Sequence, residues 1–194
     1  MISKLNSEKI VRDSIVWDRV NWGQSIDFMN SNINLNHINN ALELGVGNRG
    51  GGYSLYLASK NINVVCSDYN GVDKRVIDVH NNYSFSHLIS YKKIDALNIP
   101  NINEFDLVVF KSMLGGIAKG GNTDLVEKVL DQIYNCLKKD GYLFFSENIE
   151  ATSLHMYMRN KFSWGKDGDG WHYPSINEIL NLTDVGFKKV NATT

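Results

Sequence analysis

The stretch Ala41-Leu42-Glu43-Leu44-Gly45-Val46-Gly47-Asn48-Arg49-Gly50-Gly51-Gly52-Tyr53-Ser54-Leu55 decides the fold. It reads as a buried strand, a glycine-rich turn and the first turn of a helix. Glycine in such a turn adopts backbone angles that other residues avoid, and it lets a ligand approach the main chain. The unbonded N–H groups at the helix start then favour an anionic or carboxylate group. The stretch is therefore a candidate cradle for a nucleotide-type cofactor.

Gly45, Gly47 and Gly50 fit G-x-G-x-x-G, a spacing shared with dinucleotide-binding proteins. Glu43 sits two residues before the first glycine. A second apolar strand, Asn63-Val64-Val65-Cys66-Ser67, ends in Asp68, about 20 residues past the loop. A βαβ unit places the acceptor for a ribose diol there, and a carboxylate accepts from both hydroxyls.

This set resembles the Rossmann-like S-adenosylmethionine (SAM)-dependent methyltransferases. Glu43-Leu44-Gly45-Val46-Gly47 is similar to their first motif, an acid followed by G-x-G. The resemblance runs from about Leu42 to Phe187. It implies Glu43 near the methionine end of SAM, Asp68 on the ribose, and Asp95-Ala96, after the third strand, beside the adenine. It also implies a three-layer α/β/α sandwich around a mostly parallel twisted sheet. The family's final antiparallel strand has no evident counterpart and is expected to be short, truncated or replaced here. The family often has a glycine where Arg49 stands. Arg49 is expected to pair with the SAM carboxylate in two-point geometry; the alternative is a solvated loop arginine. Asn48, Gly50 and Tyr69 complete this rim, and Lys111 and Ser112, ending the fourth strand, face it.

Composition bounds the rest. The 194 residues suit one domain with a full core. Hydrophobic content of 43% and charged content of 21% are ordinary for a globular chain. A net charge of -1 argues against a phosphate-tracking surface and so against a nucleic-acid substrate. Cys66 and Cys136 fall in a predicted strand and helix, as small apolar residues in a reducing compartment. There is no membrane-length apolar run, and the first residues lack a secretory core. Membrane insertion is not expected, the expected location is cytoplasmic, and the expected state is a monomer or homodimer.

Residues 7 to 32 read as two helices, opened at Ser7 and Ser25, and residues 1–35 form an N-terminal helical lid. Trp17 and Trp22 either cover substrate or staple this segment to the sheet; packing is the commoner use of large aromatics. Strands are expected at 40–45, 63–67, 91–95, 105–110, 141–147 and 185–190. Helices are expected at 50–60, 72–88 and 123–139, the last stopped by Gly141 with Lys138 and Lys139 at its negative end. His80 and His87, seven apart on one helical face, lack companions for a metal and read as surface or core-edge residues. Residues 148 to 174 are the least regular and form the substrate side, with a short helix from Ser153 to Lys161. The 165–170 turn lacks the closing Glu of a calcium loop. Ser175 and Glu178 form a capping box for a last helix.

Methyl transfer to a hydroxyl needs alignment and a proton acceptor. A histidine near neutral pKa suits the second task. His172, just before the last helix, is the first choice, followed by His155 and Glu147. The expected activity is SAM-dependent O-methylation of a small hydroxylated molecule, with a sugar of a bacterial glycan as the leading example, because four tryptophans and nine tyrosines suit stacking on a ring. The alternatives are an NAD(P)-dependent oxidoreductase, an RNA methyltransferase and a non-catalytic SAM-binding protein. Glu43 and Asp95-Ala96 count against the first. After the fourth strand there is no Asn/Asp-Pro-Pro-aromatic motif, which counts against methylation of DNA bases.

Overall fold

The computed structural model describes residues 4–16, 19–149, 171–181, 187 and 191–193. Five strands run parallel: β1 (Asn40–Leu44), β2 (Asn63–Asp68), β3 (Ile89–Lys93), β4 (Phe105–Lys111) and β5 (Leu137–Ser146). Their order in the sheet is β3-β2-β1-β4-β5. Chain order reverses direction between β1 and β4, where open α/β sheets form their ligand crevice. The helices are α1 (Lys4–Ser14), α2 (Arg19–Asn32), α3 (Gly52–Ala58), α4 (Lys74–Asn81), α5 (Leu114–Ile117), α6 (Asp124–Cys136) and α7 (Ile176–Asn181).

The central strands are apolar on both faces because both faces are covered. On one face Ala41, Leu107 and Val109 share a core with Ile10, Ile26, Met29, Leu55 and Val76 of α1 to α4. On the other, Leu42, Leu44, Val108 and Phe110 pack on Val126, Val129, Leu130 and Ile133 of α6. Each buried Leu, Ile, Val, Met or Phe among them contributes about 1.5–3 kcal/mol. α1 and α2 are thus part of one core layer, to which Trp22 also belongs at 7% exposure. Packing, as expected, is the use made of Trp22; Trp17 lies outside the described residues.

One acid fixes the register at the start of the sheet. Asp106 Oδ2 accepts the Asn39 and Asn40 N–H groups, both at 2.9 Å, and Oδ1 accepts Lys138 Nζ at 2.7 Å. Burial alone would raise the Asp106 pKa; the Lys138 ammonium and the two amides outweigh it and hold it below the usual range.

This pairing corrects an expected boundary. α6 ends at Cys136, and Leu137 is already extended at φ -74°, ψ 142°. Lys138 turns to Asp106, so it serves the sheet and not the helix end. The bend before Tyr142 falls at Asp140, with φ 63°, where the β4–β5 register shifts. Gly141 therefore stops no helix. Ser7 and Ser25 are not caps: each lies inside its helix, and Ser25 Oγ donates to the Trp22 carbonyl at 2.6 Å. α4 ends at Asn81, and His87 sits in a separate 3-10 turn, so His80 and His87 share no helical face. His80 is fully buried rather than superficial. β3 lies two residues earlier than expected, at Ile89–Lys93. Both cysteines are buried free thiols. The expected helix at 153–161, with His155, the 165–170 turn and the 185–190 strand lie outside the described residues. Among the described residues no helix is long and apolar enough to cross a membrane.

Candidate active site

The glycine loop joins β1 to α3 at the carboxyl edge of the sheet. Gly45, Gly47, Gly50 and Gly52 all have φ between 63° and 73°. Two of them meet different surroundings. A Cβ on Gly52 would lie 2.5 Å from Glu43 Oε1 and 2.6 Å from Val46 Cγ2. A Cβ on Gly47 would meet nothing within 4 Å. Gly52 is required by packing, whereas Gly47 borders open space.

Glu43 holds the loop from below. Its Oε1 accepts the Tyr53 N–H at 2.8 Å and its Oε2 accepts the Ser54 N–H at 2.7 Å. The side chain is 2% exposed. Burial pushes its pKa up, against the pull of the Ser54 and Tyr53 hydrogen bonds. The expectation that free amides at this helix start would take an anionic ligand is corrected here: Glu43 already occupies two of them.

Asp68 is where the spacing placed it. Its Oδ2 accepts the Gly47 N–H at 3.1 Å, and its Oδ1 accepts the Asn70 N–H at 3.1 Å. Ser67 Oγ donates to the Glu43 carbonyl at 2.7 Å, and Val46 N–H to the Ser67 carbonyl at 3.0 Å. β1 and β2 thus deliver the loop and the acid as one unit. Tyr69, next to Asp68, is 63% exposed. Ile94 N–H donates to the Asp68 carbonyl at 3.2 Å, which sets Asp95-Ala96 alongside. Asp95 Oδ1 accepts the Leu97 N–H at 2.9 Å. Asn48 and Arg49 are exposed on the loop tip.

The facing rim comes from β4 and β5. Lys111 Nζ lies 4.8 Å over the Trp22 ring. Burial lowers the Lys111 pKa, opposed by the nearby Glu43 charge. Ser112 has φ 51°, a strained angle for a residue with a side chain, and its Oγ accepts from Asn148 Nδ2 at 2.9 Å. Glu147 Oε1 accepts the Met113 and Leu114 N–H groups at 2.5 and 2.6 Å. Burial pushes the Glu147 pKa up to about 7 despite these amides.

The segment before α7 docks onto α5. His172 N–H donates to the Gly115 carbonyl at 3.0 Å. His172 Nε2 lies 2.7 Å from Glu178 Oε1. A carboxylate only accepts, so Nε2 carries a hydrogen, and in the neutral ring Nδ1 keeps the lone pair. Glu178 also completes the expected capping box: its N–H donates to Ser175 Oγ at 3.1 Å, and Ser175 N–H to its Oε2 at 3.4 Å. The fold thus brings His172 and Glu147 to one short helix, His172 at Gly115 and Glu147 at Met113 and Leu114.

Sequence reading missed His80. Its Nε2 lies 2.7 Å from the Gly51 carbonyl and its Nδ1 lies 3.1 Å from Tyr91 Oη. Nε2 must be the donor, since a carbonyl cannot give a hydrogen, and Nδ1 accepts from the tyrosine. Burial lowers its pKa and keeps it neutral. The available signal was its position one turn after buried Val76. Asp13 adds a strap from α1, its carbonyl accepting the Gly51 N–H at 2.8 Å. No cluster among the described residues could hold a metal. A groove of about 520 Å³ lined by Asn30, Asn34, Asn36 and Lys60 lies where the chain enters β1 and β2, away from these loops.

Comparison with known proteins gives a family and a fold. A family model described as "Methyltransferase domain" matches residues 42–145. No curated protein matches the chain in sequence. Among solved structures, a Haemonchus contortus phosphoethanolamine N-methyltransferase 2, complexed with phosphomonomethylethanolamine and S-adenosylhomocysteine, superposes with a TM-score of 0.60 at 20% identity. The match covers 86% of this chain and 37% of that one, so the chain spans well under two thirds of that enzyme's length. A SAM-dependent methyltransferase from Thermotoga maritima, described as a possible histamine N-methyltransferase, gives 0.60 at 17% identity over 93% of this chain and 74% of that one. The CurJ carbon methyltransferase gives 0.59 at 13% identity over 96% and 52%. At these identities the likeness is one of fold.

Proposed function

The chain belongs to the methyltransferase-domain family, and we propose that it binds SAM in the β1–β2–β4 crevice and methylates a hydroxyl group of a small molecule. The observation that carries this reading is the meeting of Gly47 N–H and the Asp68 carboxylate at 3.1 Å, at the point where strand order reverses. The residues fit the cofactor: Gly47 leaves open space where a side chain would stand, and Asp68 offers a carboxylate to a diol. SAM supplies a methyl group on a positively charged sulfur. Asp68 would hold the ribose hydroxyls, Asp95-Ala96 would border the adenine, and Arg49 would pair with the carboxylate.

The Arg49 assignment has a direct check. Arg49→Ala is expected to weaken SAM binding roughly tenfold, the size of a lost charge-assisted pair. Binding of 5′-methylthioadenosine, which lacks the carboxylate, should stay unchanged. Equal SAM affinity in variant and wild type would return Arg49 to the solvent.

His172 is assigned the acceptor's proton. Glu178 fixes the ring and leaves Nδ1 with the lone pair. His172→Ala is expected to lower turnover by about 10²–10⁴-fold with SAM affinity unchanged; full turnover would end the assignment. The near-neutral net charge and free buried thiols fit a small-molecule substrate in a reducing cytoplasm. A sugar is the leading acceptor within this class.

The test of function is release of S-adenosylhomocysteine from SAM, measured with hydroxylated acceptors and with amines. Release that depends on a hydroxylated acceptor supports the proposal. Release with amines alone, or SAM binding with no release, speaks against it.

A further inference from the structure

Two buried polar atoms at the β4–β5 rim have no hydrogen-bond partner among the described residues: Glu147 Oε2 and Trp171 Nε1. A buried polar group left unpaired costs roughly 1–3 kcal/mol, so each of these atoms calls for a partner. These two belong to one place. Glu147 is held by the Met113 and Leu114 amides, at the first turn of α5. The Trp171 indole packs on the next residues of the same turn: a Cβ on Gly115 would collide with Trp171 Nε1, and one on Gly116 would lie 3.1 Å from Trp171 Cζ3. The glycine pair is what admits the indole. The His172 N–H bond to the Gly115 carbonyl, at 3.0 Å, keeps it there. Met113 links this place to the cofactor loop, since its Sδ lies 3.5 Å from where a Gly45 Cβ would be.

The two atoms are chemically complementary to one ligand group. An indole nitrogen only donates. A carboxyl oxygen accepts when the group is ionised and donates when it carries the proton, and a hydroxyl can answer either form. A hydroxyl both accepts and donates through one oxygen, whereas an ammonium only donates and would leave the indole unpaired. We infer that Glu147 Oε2 and Trp171 Nε1 form a recognition site for a hydroxyl of the substrate, selecting alcohols over cationic amines. This rests on the methyl-transfer reading of the crevice and names the group that its substrate presents.

The test uses the full-length protein loaded with S-adenosylhomocysteine, so failure of the cofactor reading shows at loading, before any probe is added. Saturation-transfer NMR then measures binding of methyl α-D-glucopyranoside, catechol and ethylammonium to wild type, Glu147→Gln and Trp171→Phe. Glu147→Gln keeps the shape of its side chain and an oxygen for the two amides; Trp171→Phe keeps an aromatic ring and removes the N–H. Circular dichroism melting confirms that each variant is folded. The expected result is binding of at least one hydroxylated probe, weakened roughly tenfold by Trp171→Phe and by Glu147→Gln, and no competition from ethylammonium. The inference is overturned if neither hydroxylated probe binds the loaded wild type, or if binding survives both substitutions. It is equally overturned by ethylammonium binding that Glu147→Gln removes and Trp171→Phe leaves intact, or by a water that bridges the two atoms in a crystal and stays in place when a probe is bound.

Discussion

Gly52→Ala is expected to destabilise the protein by roughly 2–6 kcal/mol and to abolish SAM binding. Two costs combine. The backbone angle at Gly52, φ 63°, strains any residue with a Cβ. The new methyl would also lie 2.5 Å from Glu43 Oε1 and 2.6 Å from Val46 Cγ2. Glu43 cannot yield, because its two oxygens hold the Tyr53 and Ser54 amides in a buried setting. Moving it would strip both amides of their acceptor. Gly47→Ala isolates the first cost, since its φ of 73° is similar but a Cβ there would meet nothing within 4 Å. It should cost only about 1–3 kcal/mol. Thermal or urea unfolding of both variants checks the difference. Equal losses would mean that Glu43 moves freely and is no scaffold.

Stability should fall as pH rises, and Glu147 should be a main cause. In the folded protein its pKa lies at about 7, against an ordinary value of 4.5, because burial disfavours the charged form. Between these values the folded state holds a proton that the unfolded state has released. The contribution is therefore fully present below about pH 4.5 and is lost as pH rises through 7. The span corresponds to about 3 kcal/mol. Glu147→Gln removes the ionisation but keeps an acceptor for the Met113 and Leu114 amides. The variant should gain on wild type by about 2.5 kcal/mol between pH 5 and pH 8, read as urea midpoints at both values. Parallel curves for the two proteins would show that the carboxyl ionises as it does in water.

Local chemistry made the site's frame legible. An apolar run, a glycine turn and an acid after the next apolar run were enough to place Asp68 beside Gly47, because adjacent parallel strands bring their ends together. The capping box at Ser175 and Glu178 was legible for the same reason: its partners are three residues apart. What escaped depends on partners far along the chain. Leu137-Lys138-Lys139 reads as helix until Asp106, 32 residues earlier, draws Lys138 into the sheet. Glu43 reads only as a ligand contact, because nothing nearby in sequence announces that its two oxygens hold the Tyr53 and Ser54 amides. His80 reads as a surface or core-edge residue because nothing nearby in sequence announces the Gly51 carbonyl, 29 residues away. Nor does the Gly115-Gly116 pair announce that an indole from residue 171 will lie on it.

Calorimetric titration with SAM, S-adenosylhomocysteine and NAD, on wild type and Asp68→Ala, tests the central claim most directly. The account predicts micromolar binding of the first two to wild type, lost in the variant, and no binding of NAD. Binding of NAD alone, or SAM binding that persists without the Asp68 carboxylate, would contradict it.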